Sequence, residues 1–71
     1  MDNRFVAFIN EEDVVTKIEI LLDTFGLEGI KDRFGIEDLT EEYIEYLDVF
    51  TAFDFIDMYE DYIIKKWKKM L

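Results

Sequence analysis

The side chains with the most evident chemical capacity are carboxylates, which crowd one stretch of the chain. Between Phe34 and Ile64 there are ten of them and neither lysine nor arginine. They are Glu37, Asp38, Glu41, Glu42, Glu45, Asp48, Asp54, Asp57, Glu60 and Asp61. Carboxylates act as acid–base pairs, bind hard cations, or present negative charge to a cationic partner. The accompanying residue types and the spacing decide among these three uses.

Catalysis and metal binding are poorly supported. The chain has no Ser, Cys or His, so the usual nucleophiles and the residue best suited to proton transfer near pH 7 are missing, as are the ligands of a structural zinc site. A carboxylate pair needs an enclosing cleft, which 71 residues seldom form. Asp54, Asp57 and Asp61 lack the alternating ligands and the glycine of an EF-hand loop. We expect no enzyme activity, no metal and no cofactor.

The spacing favours rows of negative charge. Glu37, Glu41, Glu45 and Asp48 recur at i, i+4, i+8 and i+11, which would stack them along one face of a third helix; Asp54, Asp57 and Asp61 continue at i, i+3 and i+7. Such a row is similar in spacing to backbone phosphates, so a groove lined with Lys and Arg would accept it in place of DNA or RNA. The alternative is a solvated face that keeps the protein soluble.

Aromatic residues crowd the same region as the acids. They are Tyr43, Tyr46, Phe50, Phe53, Phe55, Tyr59, Tyr62 and Trp67. Phe53 and Phe55 are two residues apart and point in different directions on a helix, so some of these rings must be exposed or meet a partner, although core filling is the commoner use. Tyr43 and Tyr46, beside acids, are of the type found at interface centres. We therefore add them to the predicted partner-binding set.

In composition the chain resembles the nucleic-acid mimics with which phages and mobile elements block restriction enzymes, CRISPR effectors or polymerases. The shared features are small size, a formal charge of -10, a 17% aromatic content and the lack of catalytic residues. No motif is shared, so no binding residue is transferred. The resemblance implies a stoichiometric inhibitor of the phage anti-restriction or anti-CRISPR kind, which would occupy the basic, nucleic-acid-binding groove of a target protein.

Net charge and hydropathy limit the classes of partner that the protein is expected to bind. A charge of -10 repels phosphates, so we expect no direct binding to nucleic acid or to an anionic membrane. No apolar run approaches the roughly 18 to 20 residues of a membrane span, and the N-terminus lacks the pattern of a signal peptide. We expect a soluble, cytoplasmic protein, in the host cytoplasm if the gene is viral, with a basic protein as its partner.

Chain length leaves a second function open. A core built from 71 residues is only marginally stabilising, and without Cys no disulfide can help. The chain is nevertheless 51% hydrophobic and holds twelve aromatic residues, more than one small core needs. A homodimer is therefore an alternative, and with it a structural or regulatory homo-oligomer that has no nucleic-acid-related target.

The elements predicted for the first half are an arm and two helices. Residues 4 to 9 are β-branched and aromatic, which favours an extended arm or a strand completed by a second subunit. Asn10 is the predicted N-cap of a helix that ends at Gly26, and a short helix from 28 to 34 ends at Gly35.

The second half is predicted to be helical with one break. Thr40 is the predicted N-cap of the third helix, and a break near residues 48 to 51 separates it from a last helix. The side chains predicted to face inward there are Ala52, Phe53, Ile56, Tyr59, Ile63, Trp67 and Met70.

The last helix ends in four lysines, Lys65, Lys66, Lys68 and Lys69. Cations at this end complement the helix dipole, and Asp61 with Lys65 forms a favourable i, i+4 pair. Alternatively, these four lysines would bind an anionic surface or the acidic face of a second subunit. The chain as a whole is predicted to be one compact acidic domain, residues 1 to 71, of the all-α class: a small bundle of three to five helices with an extended or β N-terminal arm.

Overall fold

The computed structural model describes residues 2 to 71, which form four helices and no strand. They are α1 (Asn3–Asn10), α2 (Val14–Phe34), α3 (Glu41–Glu45) and α4 (Val49–Met70). The long helices α2 and α4 pack against each other, and α1 packs on α2. The prediction of a small all-α bundle is confirmed.

The prediction of an extended arm over residues 4 to 9 is wrong, because this segment forms α1. Asp2 caps the helix by accepting a hydrogen bond from the Arg4 backbone N–H at 2.9 Å. A helix satisfies its own backbone groups, whereas a lone strand would need a partner that the described residues do not offer. Phe5 and Phe8, three residues apart, lie on one helical face and are buried. That spacing outweighed the strand propensity of the individual residues.

The start of α2 also differs from the prediction. Asn10 is the last residue of α1, and the N-cap of α2 is Asp13, whose carboxylate accepts the Thr16 backbone N–H at 3.3 Å and the Thr16 hydroxyl at 2.6 Å. Asn10 offers no such pair of contacts. An acid–threonine pair three residues apart therefore set the boundary.

Glycines end the helical segments where the sequence predicted. Gly26 has φ 70° and ψ 166°, outside the helical region, and divides α2 into two segments. Gly35 has φ 67° and ψ 25°, the left-handed conformation of a helix C-cap. Residues with a Cβ rarely adopt these conformations, so the chain turns at both positions.

The break before α4 is confirmed and has a defined cause. The Asp48 carboxylate accepts the Thr51 backbone N–H at 2.8 Å, while the Thr51 hydroxyl accepts the Asp48 N–H at 3.1 Å. This reciprocal capping box starts a new helix. Thr40 likewise caps α3, accepting the Tyr43 N–H at 3.1 Å. A helix running unbroken from residue 40 is thus excluded.

One hydrophobic core joins α1, α2, α4 and the segment from 35 to 40. Trp67 lies at its centre, with ring centroids 5.3 Å from Phe5, 5.6 Å from Phe8 and 4.9 Å from Phe25. Ile36 and Leu39 extend the core beneath the segment before α3. None of the helices in residues 2 to 71 combines the length and apolar character that a bilayer span requires.

Two residues of the predicted inward face of α4 point outward. Phe53 is 59% exposed and Met70 40% exposed, whereas Phe55, left out of that prediction, is buried. Ala52, Ile56, Ile63 and Trp67 are buried as predicted. The buried stripe of α4 includes Phe55 because this ring packs against Tyr43 of α3. The centroids of the two rings are 5.9 Å apart.

Candidate functional site: the acidic face of α4

The predicted row of Glu37, Glu41, Glu45 and Asp48 does not form on one helix. Helix α3 spans only Glu41–Glu45, Glu37 precedes it in the segment after Gly35, and Asp48 is the N-cap of α4. The two helix caps described above interrupt the pattern. All four side chains are exposed, but they do not share a continuous helical face.

The second row does form. Asp54, Asp57 and Asp61 lie on one side of α4, and all three are exposed. At 1.5 Å per residue they are separated by about 4.5 Å and about 6 Å along the helix axis. We call these three residues the acidic face. They sit on a 22-residue helix, so the spacing of the charges is fixed by regular backbone.

None of these three carboxylates forms an ion pair with a basic side chain of residues 2 to 71. Within residues 2 to 71 the sole ion pair joins Lys17 to Glu60, with Nζ and Oε2 3.0 Å apart. The predicted pair of Asp61 and Lys65 is not formed, and both side chains are exposed. The acidic face is therefore unpaired within the described residues.

An apolar patch adjoins the acidic face at the start of α4. Phe50 is 81% exposed and Phe53 59% exposed. Each stands four residues before an acid of the face, Asp54 and Asp57 respectively, and so lies one turn away on the same side. Val49, 60% exposed, completes the patch. Aromatic residues are enriched at the centres of protein interfaces, and polar residues form the rim.

A groove runs beside this face, between α4 and the start of α2. It has a volume of about 280 Å³, with an apolar floor that includes Val14 and Ile56 and a rim that includes Asp57, Glu60 and Asp61. The groove adds concave shape to the negative surface. Within residues 2 to 71 no acidic cluster has the arrangement of a metal site.

Tyr43 and Tyr46, the two tyrosines predicted to bind a partner, lie in and at the end of α3. Tyr43 is partly buried and its hydroxyl donates to the Thr51 carbonyl oxygen, while Tyr46 is 69% exposed at the end of α3. Burial raises the pKa of Tyr43, and the charges of Asp54 and Asp48 contribute in the same direction. Tyr43 thus lies near the acidic face through Asp54, and Tyr46 stands apart from it.

Two contacts near the site were missed by the sequence-based predictions. The Tyr59 hydroxyl donates to the Asp38 carboxylate, 21 positions away, and this hydrogen bond raises the pKa of Tyr59. The Tyr62 hydroxyl donates to the Phe34 carbonyl oxygen at 2.6 Å. Both contacts join α4 to residues far away in sequence, which helical periodicity does not reveal. The spacing of Phe55, Tyr59 and Tyr62 along one side of α4 was the available signal.

The four lysines of the tail are exposed on the last turns of α4 while Trp67 between them is buried. Lys68 and Lys69 occupy the last turn, where positive charge complements the helix dipole. The helix is therefore acidic over its first two-thirds and basic at its end.

The chain matches no protein-family model, and no curated protein or solved structure is significantly similar to it.

Proposed function

We propose that this protein is a small acidic binding module that occupies a basic, nucleic-acid-binding groove of a target protein and so acts as a stoichiometric inhibitor. The observation that carries the proposal is the acidic face: three exposed carboxylates at helical spacing on one helix, none of them in an ion pair within residues 2 to 71. Like charges on one surface repel each other, so the arrangement costs stability unless a cationic partner uses it.

The exposed rings of Phe50 and Phe53 give the proposed contact an apolar component. Charge alone would steer the two proteins together but contribute little to lifetime, because exposed ion pairs are screened by salt. Aromatic side chains that become buried on binding supply the slower dissociation of an inhibitor. The acidic face and the apolar patch therefore have complementary roles in the proposed complex.

The target class follows from the charge pattern. Asp54, Asp57 and Asp61 repeat over about 10.5 Å at 1.5 Å per residue, a length along the duplex axis over which one nucleic-acid strand presents about three phosphates. A groove of Lys and Arg shaped for a phosphate backbone would accept this row. Phage inhibitors of restriction or CRISPR enzymes are the biological setting that this chemistry fits, with the cytoplasm of the host as the place of action.

The proposal is tested by competition with nucleic acid. The immobilised chain is incubated with nuclease-treated cell extract, and bound proteins are eluted separately by duplex DNA and by a salt gradient. We expect the same nucleic-acid-processing protein in both eluates, with steep salt dependence. A bound protein that duplex DNA or RNA cannot displace would contradict the proposal.

The apolar patch favours a second candidate function, a homo-oligomer. Val49, Phe50 and Phe53 are contiguous, and exposed apolar surface of this kind is also buried by self-association. Sedimentation of the purified chain at micromolar concentration separates the two functions. A monomer supports the inhibitor, and a stable dimer that captures no partner supports the homo-oligomer.

A further inference from the structure

A pocket lined by aromatic rings opens next to the acidic face. Tyr43, Phe55 and Tyr59 form its walls, with ring centroids 5.9 Å apart for Tyr43 and Phe55 and 4.9 Å apart for Phe55 and Tyr59. The ring planes meet at 54° and 48°, so the three rings enclose a concave corner. The cavity of about 160 Å³ is smaller than the roughly 300 to 1,000 Å³ of a drug-sized ligand site. It fits a single side chain.

Two carboxylates, those of Asp38 and Asp54, also line this pocket. Aromatic faces carry negative electrostatic potential and attract a cation placed over them. The carboxylates add formal charge of the same sign and can accept hydrogen bonds from an ammonium or guanidinium group. The rings and the carboxylates therefore select the same class of ligand.

The pocket is preorganised. The Tyr59 hydroxyl donates to Asp38, and the Tyr43 hydroxyl donates to the Thr51 carbonyl oxygen, so both rings are held in place by their polar ends. Phe55 between them is 4% exposed and immobilised in the core. A site whose walls are already ordered loses little entropy when a ligand enters.

No cationic side chain of residues 2 to 71 makes a cation–π contact or an ion pair in the pocket. The cation–π contacts within residues 2 to 71 lie elsewhere: Lys17 over Phe8, Arg33 over Phe25 and Lys66 over Tyr62. Asp54 and Asp38 form no ion pair. The negative potential at the pocket is available to another molecule.

We infer that this aromatic pocket receives one cationic side chain, arginine or lysine, from the basic protein that binds the acidic face; the inference rests on the proposed function. Asp54 belongs to both surfaces and joins them. A partner whose groove lies along Asp57 and Asp61 would then insert one long basic side chain past Asp54, between Tyr43 and Tyr59. The pocket would fix the position of the partner's basic groove along the acidic face, which electrostatic attraction alone does not determine.

The test uses single residues as probes. The ¹⁵N-labelled full chain is titrated with N-acetyl-arginine amide, with N-acetyl-lysine amide and with the neutral isostere N-acetyl-citrulline amide. We expect saturable chemical-shift changes at Tyr43, Asp54, Phe55 and Tyr59 with at least one of the two cationic amides and none with citrulline. The matched variants are Asp54→Asn and Asp32→Asn, each of which removes one exposed acid. Asp54 lines the pocket, whereas Asp32, on α2, belongs neither to the pocket nor to the acidic face.

Asp54→Asn should weaken binding of the cationic amide by about two- to fivefold, the range of a surface ion pair, while Asp32→Asn leaves it unchanged. The inference is overturned if neither cationic amide shows saturation, if citrulline binds equally, or if both variants weaken binding to the same extent. Spectra of the two variants without ligand establish that each is folded. The pocket inference alone fails if the amides do not bind while DNA still displaces a captured partner; the proposed function fails if no such partner exists.

Discussion

Lys17 and Glu60 form an ion pair at the junction of three helices. The Lys17 ammonium lies 3.0 Å from the Glu60 carboxylate on α4, donates to the Phe8 carbonyl oxygen of α1 at 2.7 Å, and sits 4.5 Å from the centroid of the Phe8 ring. Lys17 itself belongs to α2 and is only 6% exposed. One buried cation thus connects α1, α2 and α4.

Replacing Lys17 by Met should destabilise the protein by about 1 to 3 kcal/mol, because the Phe8 carbonyl oxygen loses its partner in a buried place. Glu60→Gln should cost less, since the Glu60 side chain is 36% exposed and Lys17 would keep its contacts with Phe8. Urea unfolding followed by the fluorescence of Trp67 measures both. An equal loss in the two variants, or a larger loss for Glu60→Gln, would contradict the junction.

Trp67→Ala should lower the free energy of unfolding by about 3 to 5 kcal/mol, because the ring of Trp67 contacts Phe5, Phe8 and Phe25 at the centre of the core. A domain of this length has only about 4 to 10 kcal/mol in total, so the variant should be largely unfolded at 37 °C. Phe50→Ala is the control, since that ring is 81% exposed and its loss should change stability by less than about 0.5 kcal/mol. Circular dichroism during heating measures both variants.

Acid should remove the stabilisation that the ionised helix caps provide. Hydrogen bonds from Thr51 lower the pKa of Asp48, and the Thr16 hydroxyl lowers the pKa of Asp13, both below the ordinary value of 3.8. A pKa that is lower in the folded state means that the unfolded chain binds more protons as the pH falls. The contribution is therefore complete above the unfolded pKa and is lost as the pH falls through the folded pKa.

Asp48→Asn tests this directly, because asparagine retains an acceptor oxygen for the Thr51 N–H but does not ionise. The difference in unfolding free energy between the natural chain and Asp48→Asn should be largest at pH 7 and shrink towards pH 2. Chemical denaturation at several pH values gives this difference. A separation that stays constant over this range would exclude an ionised cap as the source.

Alkali should weaken the link between α4 and the segment before α3. The hydrogen bond to Asp38 raises the pKa of Tyr59 above 10.0. A pKa that is raised in the folded state gives a contribution that is complete below the unfolded pKa and is lost as the pH rises through the folded one. The stability difference between the natural chain and Tyr59→Phe should therefore decrease above pH 10, as followed by circular dichroism. An unchanged difference at pH 12 would show that the Tyr59 phenol does not stabilise the fold.

Local rules of sequence predicted much of this fold. Gly26, Gly35, Thr40 and the pair Asp48 and Thr51 each act within a few residues of themselves, and each ends or begins a helix where expected. The helix α1 was not predicted, because its residues have strand propensity and because the packing of Phe5 and Phe8 on Trp67 joins positions far apart in the sequence. Long-range packing overrode local propensity there.

The candidate site likewise has one part that local sequence predicted and another part that depends on long-range packing. The row Asp54, Asp57 and Asp61 follows from helical spacing alone and was predicted, while the row from Glu37 to Asp48 was interrupted by caps that the spacing does not take into account. The aromatic pocket depends on Asp38 meeting Tyr59 across 21 positions. Such a contact is set by how α4 packs against the preceding segment, and neither periodicity nor composition encodes it locally.

The central claim is that the position of the negative charge on α4, and not its total amount, determines binding. Two double variants with the same change in net charge separate these explanations: Asp57→Lys with Asp61→Lys on the acidic face, and Glu19→Lys with Asp32→Lys at exposed positions of α2. Both raise the formal charge by four units from -10. Neither touches a cap or the Lys17 junction, so both should stay folded, which thermal unfolding verifies.

The deciding measurement is the dissociation constant of each double variant for the target protein captured and identified by DNA elution, taken at 150 mM salt. We expect the acidic-face variant to bind at least about 100-fold more weakly than the natural chain, since two charge reversals at an interface convert attraction to repulsion. The α2 variant should bind within about threefold of the natural chain, because distant exposed charges are screened. Equal affinity for the two variants would contradict the account.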